Sequence, residues 1–153
     1  MRSEAVEQYW RAFCLANSVD VAEPYQVWHF GNTSEMAVEL AALVLAGKKT
    51  ATASSQNMNE LQPDEAPQPE GYSVVTDFAG DPLCVIQTVE IAYLPFDEVD
   101  AAFAADEGEG DLSLTYWRRV HRDYLGLEAE RHGFEFTERS VICCERFRVL
   151  FTR

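Results

Sequence analysis

The chain is poor in positive charge. Lys48 and Lys49 are its only lysines, and 26 acidic residues outweigh the 12 lysines and arginines to leave a net charge of −14. That balance excludes a general grip on phosphate backbone, because counterion release needs a basic face. Long duplex DNA is therefore not an expected partner, whereas a nucleotide-sized ligand or a single strand in a small basic cleft is. Long apolar runs are also missing. None approaches the roughly 20 residues of a membrane span, and the opening MRSEAVEQYW lacks the apolar core of a secretory signal. No partnership with a membrane is expected. The four cysteines (Cys14, Cys84, Cys143, Cys144) form no C-x-x-C, and with three scattered histidines they make no zinc signature. Cys143 and Cys144 would point to opposite faces of a strand, which suits reduced thiols and a cytoplasmic location. Neither repeats nor Gly-rich phosphate turns between alternating strands and helices occur, so a doubly wound sheet is not expected.

What remains is an ordinary globular composition, 47% apolar and 25% charged over 153 residues, enough for one domain with its own core. Residues 1–27 read as a helix and a connection, and residues 28–153 carry the motifs. Ser3 is placed to cap a helix from Glu4 to about Asn17. VDVAEPYQVWHFGNTS reads as a connection into a second helix, capped by Thr33 or Ser34 and ended by Gly47. An extended segment, Thr50 to Ser54, follows. QNMNELQPDEAPQPE, with three prolines, reads as a loop. YSVVTDF and LCVIQTVEIAYL read as two strands joined by a turn. Asp97 is a candidate cap for a short helix interrupted by EGEGD. Ser113 is a candidate cap for a long helix with Leu114, Trp117, Val120, Tyr124 and Leu127 on one face. The chain closes on the strand SVICCERFRVLF. This order predicts an α+β domain around a small sheet or barrel.

Three constellations could carry chemistry. Lys48 and Lys49 lie just past a helix end, where lysines complement the macrodipole. Alternatively, one of them enters a cleft beside Thr50, Thr52 and Ser54, which share a face in an extended segment. There it would serve as a base if its pKa were depressed, or as a cation for a phosphate or oxyanion. Glu107, Glu109 and Asp111 alternate with glycines. They form either a solvated acidic turn, a source of an acid or base, or a weak site for a hard divalent cation. Glu145 interrupts an apolar strand face and so needs a cation or several donors. His29, His121 and His132 read as helix- or core-associated.

WHFGNTSEMAVELAALVLAGKKTATAS, PFDEVDAAFAADEGEGDLSLTYWRRVH and VICCERFRVLF together resemble the ASCH-domain family, in its longer bacterial branch, from about Trp28 to Phe151. The resemblance implies a PUA-like fold, a small mixed β-barrel flanked by helices, with a cleft beside the lysine-threonine segment. It also implies a partner that is RNA or a modified nucleoside or nucleotide. As a ribonuclease on single-stranded RNA, the protein would use Lys48, Lys49 and Ser113 in the cleft, with Mg²⁺ or Mn²⁺ as a possible cofactor. As an amidohydrolase of N4-acylated cytidine, it would use Thr52 as nucleophile, Lys49 as base and Glu107 to orient the lysine or relay a proton. A non-catalytic RNA- or nucleotide-binding module is the third expectation. The chain departs from the small relatives at Ser54, where they carry arginine, and at Glu70-Gly71, where they carry lysine-glycine. Both departures remove positive charge from the rim.

Overall fold

The computed structural model describes residues 2–152. Its elements begin where local chemistry directs. Ser3 accepts a hydrogen bond from the Val6 amide and starts helix α1, Glu4–Asn17. Strand β1, Tyr25–Trp28, follows. Thr33 caps α2, Ser34–Leu45, through the Met36 amide. Just beyond α2, Gly47 adopts φ 74°, and the amides of Lys48 and Lys49 both donate to the Leu43 carbonyl. That turn aims the chain into β2, Ala51–Ser55. Helix α3, Gln56–Leu61, is capped by Ser55. Then come β3, Tyr72–Thr76, and the long β4, Pro82–Pro95. Helix α4, Ala101–Asp106, α5, Leu114–His132, and β5, Val141–Thr152, complete the fold.

The strands form one five-stranded sheet in the order β1-β3-β4-β5-β2. β1 pairs with β3 in parallel and the other pairs are antiparallel. Register shifts between Val85 and Ile86 and between Thr88 and Glu90 mark irregularities along the β4–β5 ladder; such bulges bend and twist a sheet. The expected barrel is thus an open sheet with β1 and β2 at its edges, while the mixed α+β architecture is PUA-like.

Three apolar clusters cover the sheet. Helix α1 packs Val6, Tyr9, Trp10 and Phe13 against Tyr25, Val74 and Val85. Phe30 and Val44 meet Val75, Ile86 and Phe147. Phe96, Phe103, Trp117 and Leu125 pack on Ala51, Ile142 and Cys144. Each large side chain buried this way contributes about 1.5–3 kcal/mol.

Several local expectations change. The segment read as a connection contains β1, four residues that are ordered by pairing with β3 rather than by a pattern of their own. The proline-rich loop contains α3, because Ser55 supplies a cap. The cap of the short helix is Asp100, which accepts from the Phe103 amide, while Asp97 pairs with Arg139. On α5 the buried residues are Trp117, Leu125 and Ala129, with Tyr124 and Leu127 45% and 54% exposed. Both stripes fit helical spacing, and the position of Phe96, stacked on Trp117 at 5.4 Å, selects the observed one. Among the described residues no helix is long and apolar enough to cross a membrane.

Candidate active site

Lys49 occupies the tight passage between α2 and β2 and is only 2% exposed. Its Nζ donates to the Ala51 carbonyl at 2.9 Å and to Glu109 Oε2 at 3.0 Å. The backbone oxygen and Oε1 of Glu107 each lie 3.3 Å away. An ammonium buried this deeply requires such partners, since leaving it unpaired costs several kcal/mol. Lys48 is exposed and the ammonium of Lys49 faces two carboxylates.

The acidic turn that delivers those carboxylates depends on Gly108. The residue has φ 72°, and a Cβ there would lie 2.4 Å from the Lys48 carbonyl oxygen. Only glycine permits the turn to pack directly on the lysine backbone. Glu107, also 2% exposed, is held from the other side by α5. The Trp117 indole N–H donates to its Oε2, and His121 Nε2 lies 3.4 Å from the same oxygen. His121 stacks on Trp117 at 4.2 Å, and its Nδ1 contacts the Trp117 carbonyl at 2.8 Å. A carbonyl can only accept, so Nδ1 carries a proton.

These groups open onto a cleft of about 1240 Å³. Thr52, Ala53 and Ser54 of β2 line it, as do Trp28 at the end of β1 and the following His29 and Phe30. His121, Tyr124 and Glu128 of α5 line it too, and Glu145 lies within. The Lys49 Nζ sits 5.5 Å over the Phe30 ring. Thr52 is the cross-strand partner of Glu145, so the two side chains share a face. Among the described residues the cleft lining carries six acidic side chains (Asp64, Glu65, Glu107, Glu109, Glu128, Glu145) against two cations, Arg2 and Lys49.

The predicted site residues therefore divide. Lys49, Thr52, Ser54, Glu107, Glu109 and Glu145 line one cleft. Lys48 is exposed outside it. Thr50 turns away, its hydroxyl 3.4 Å from the Asp106 carbonyl. Ser113 caps α5 through the Tyr116 amide, and Asp111 accepts from the Ser113 amide at 2.9 Å. Hydrogen bonding from the Ser113 side chain, together with that amide bond, holds the Asp111 carboxyl below the usual carboxylate range. The donor set does not suit Mg²⁺ or Mn²⁺. Glu107 and Glu109 are engaged by Lys49 and Asp111 by its own turn, and no group of three His, Cys, Asp or Glu among the described residues could hold a metal ion.

Sequence reasoning missed Trp117 and His121 as partners of Glu107. Their i, i+4 spacing on a helix was the available signal. The cysteines offer no nucleophile. Burial pushes the Cys84 thiol up to about 11 and the Cys144 thiol up to about 12.

The ASCH domain family model matches residues 26–151. The chain belongs to the ASCH domain family. An ASCH domain from Lactobacillus crispatus is 28% identical, with a TM-score of 0.89 over 97% of this chain and 96% of that one. A protein of Enterococcus faecalis is 31% identical, with a TM-score of 0.86 over 95% and 88% of the two chains. No curated protein matches the chain. Within this ASCH domain, the lysine after α2 and the acidic turn before α5 meet although they are 58 residues apart.

Proposed function

We propose that this ASCH domain hydrolyses the acyl amide of an N4-acylated cytidine-type nucleoside. The observation that carries the reading is the buried contact of Lys49 with Glu107 and Glu109 in the cleft lined by Thr52. Thr52 Oγ1 attacks the acyl carbon and loses its proton to Lys49. For Lys49 to accept it, the ammonium first passes a proton to Glu107 or Glu109, both within 3.3 Å. The carbon–nitrogen bond breaks, the ring amine departs with the proton, and water then cleaves the threonine ester to release a carboxylic acid.

Charge supports this reading over cleavage of single-stranded RNA. A neutral nucleoside meets no penalty in a lining where carboxylates outnumber cations, whereas each phosphate does. The residues that would help a ribonuclease, Lys48 and Ser113, have other surroundings. The aromatic walls suit a base, since rings stack on any nucleobase.

Incubation with N4-acetylcytidine, followed by chromatography for cytidine, is the test. Turnover that stops in both Thr52→Ala and Lys49→Ala supports the proposal. Folded wild-type protein that releases no cytidine sinks it, and the cleft would then be read as a binding site alone.

A further inference from the structure

Among the carboxyls of the cleft that are not exposed, Glu145 is the one least accounted for by its surroundings. Glu107 and Glu109 are engaged by Lys49, and Glu128 accepts from Ser55. Glu145 is only 7% exposed, yet its sole hydrogen bond among the described residues is from the Thr88 hydroxyl to Oε2, at 2.7 Å. Its Oε1 has no protein partner and the residue lines the cleft. A carboxyl that is almost wholly buried, holds one donor and opens onto a cleft keeps hydrogen-bonding capacity for a ligand there. Burial also raises the Glu145 carboxyl above the usual range, and this outweighs the opposing effects of the Thr88 bond and the nearby Lys49 charge.

We infer that Glu145 reads the pyrimidine edge of the ligand, its Oε1–H donating to ring N3 and its Oε2 accepting the N–H on N4. Oε2 has a lone pair left beyond the Thr88 bond, so both contacts fit its capacity. The inference rests on the cytidine reading of the cleft and adds how the base is chosen. Thr52 faces Glu145 across the β2–β5 ladder. An N4 atom held by Glu145 thus carries its acyl group beside the proposed nucleophile. Uridine presents an N–H at position 3 and an oxygen at position 4, so it sets donor against donor and acceptor against acceptor. With the Thr88 hydroxyl donating to Oε2, the proton belongs on Oε1, and that order of donor and acceptor favours cytosine over uracil; an ionised Glu145 has no donor for N3 and loses the preference.

Other titratable groups share the cleft: Lys49, Glu107 and Glu109, then His121, Tyr124 and Glu128 of α5, and His29 after β1. Their contributions to a pH profile persist when Glu145 alone is changed, and that separates them. Glutamine at this position offers the same donor and acceptor without titrating.

The experiment measures cytidine and uridine binding to the full chain by calorimetry from pH 5 to 8, without any turnover. The wild type is expected to prefer cytidine by about tenfold, the scale of one buried donor mismatch, with the preference fading as pH rises. Glu145→Gln should keep the preference and flatten its pH dependence; Glu145→Ala should lose it while remaining folded by circular dichroism. Equal binding of the two nucleosides, no binding of either, or a Glu145→Gln profile that still follows the wild type would overturn the inference. Glu145-dependent cytidine binding without hydrolysis would sink only the catalytic proposal. Hydrolysis by a protein with no such preference would sink only this one.

Discussion

The sheet is flanked by two very different interiors. Under α1, Trp10 stacks on Tyr25 at 4.2 Å and packs near Phe13 and Tyr72, and its indole N–H reaches the Val21 carbonyl. Among the described residues nothing charged is buried in this cluster, and its apolar area supplies stability directly. Beside β2 the same chain buries Lys49, Glu107 and Glu145. Buried ion pairs recover little more than their desolvation cost. One interior holds the fold and the other spends part of that stability on positioning charge, which is a mark of a functional cleft.

That contrast can be broken in order of effect. Trp10→Ala should lower stability by about 3–5 kcal/mol, measured by denaturant unfolding, while cytidine release per folded molecule stays unchanged. Glu107→Ala should cost a similar amount, about 3–5 kcal/mol, because it strands the Trp117 N–H and part of the Lys49 charge, and it should abolish release. The double variant Lys49→Met/Glu107→Gln sharpens the comparison. It should recover most of that stability and none of the activity. Equal loss in the single and double variants would contradict a buried pair that is weak in net stability.

Gly108→Ala should destabilise by about 1–3 kcal/mol and weaken turnover, because the added Cβ drives the acidic turn off the lysine backbone. Glu145→Gln probes pH. A carboxyl raised by folding holds its proton more tightly in the native state, so its stabilising contribution is complete below the ordinary carboxyl value and is lost as pH rises through the raised one. The variant should therefore melt higher than the wild type at pH 8, with the gap closing toward acid. The smallest effect belongs to the surface. Arg139, paired with Asp97 and Glu98 but largely exposed, should be replaceable by alanine with no measurable change in Tm.

Legibility followed the same divide. Ser3, Thr33 and Ser113 were readable as helix caps because a cap concerns four consecutive residues. The lysine pair and the acidic turn stood out by composition and motif, yet nothing local revealed that Glu109 reaches Lys49, and the i, i+4 spacing of Trp117 and His121 did not name Glu107 as their partner. The α5 stripe was misassigned because two stripes satisfy its spacing. Thr88, the support of Glu145, carried no signal at all.

By itself the order of residues settled the strongly negative charge, the starts of α1, α2 and α5, the long strands and the family, since these depend on composition, short-range hydrogen bonding and motif order. Tertiary structure decided that the sheet stays open, that β1 exists, and which of two neighbouring lysines turns inward. Gly47 and Gly108 allow the backbone to bring one ammonium against carboxylates 58 and 60 residues away. Long-range approach of that kind is set by packing, and a linear pattern does not encode it.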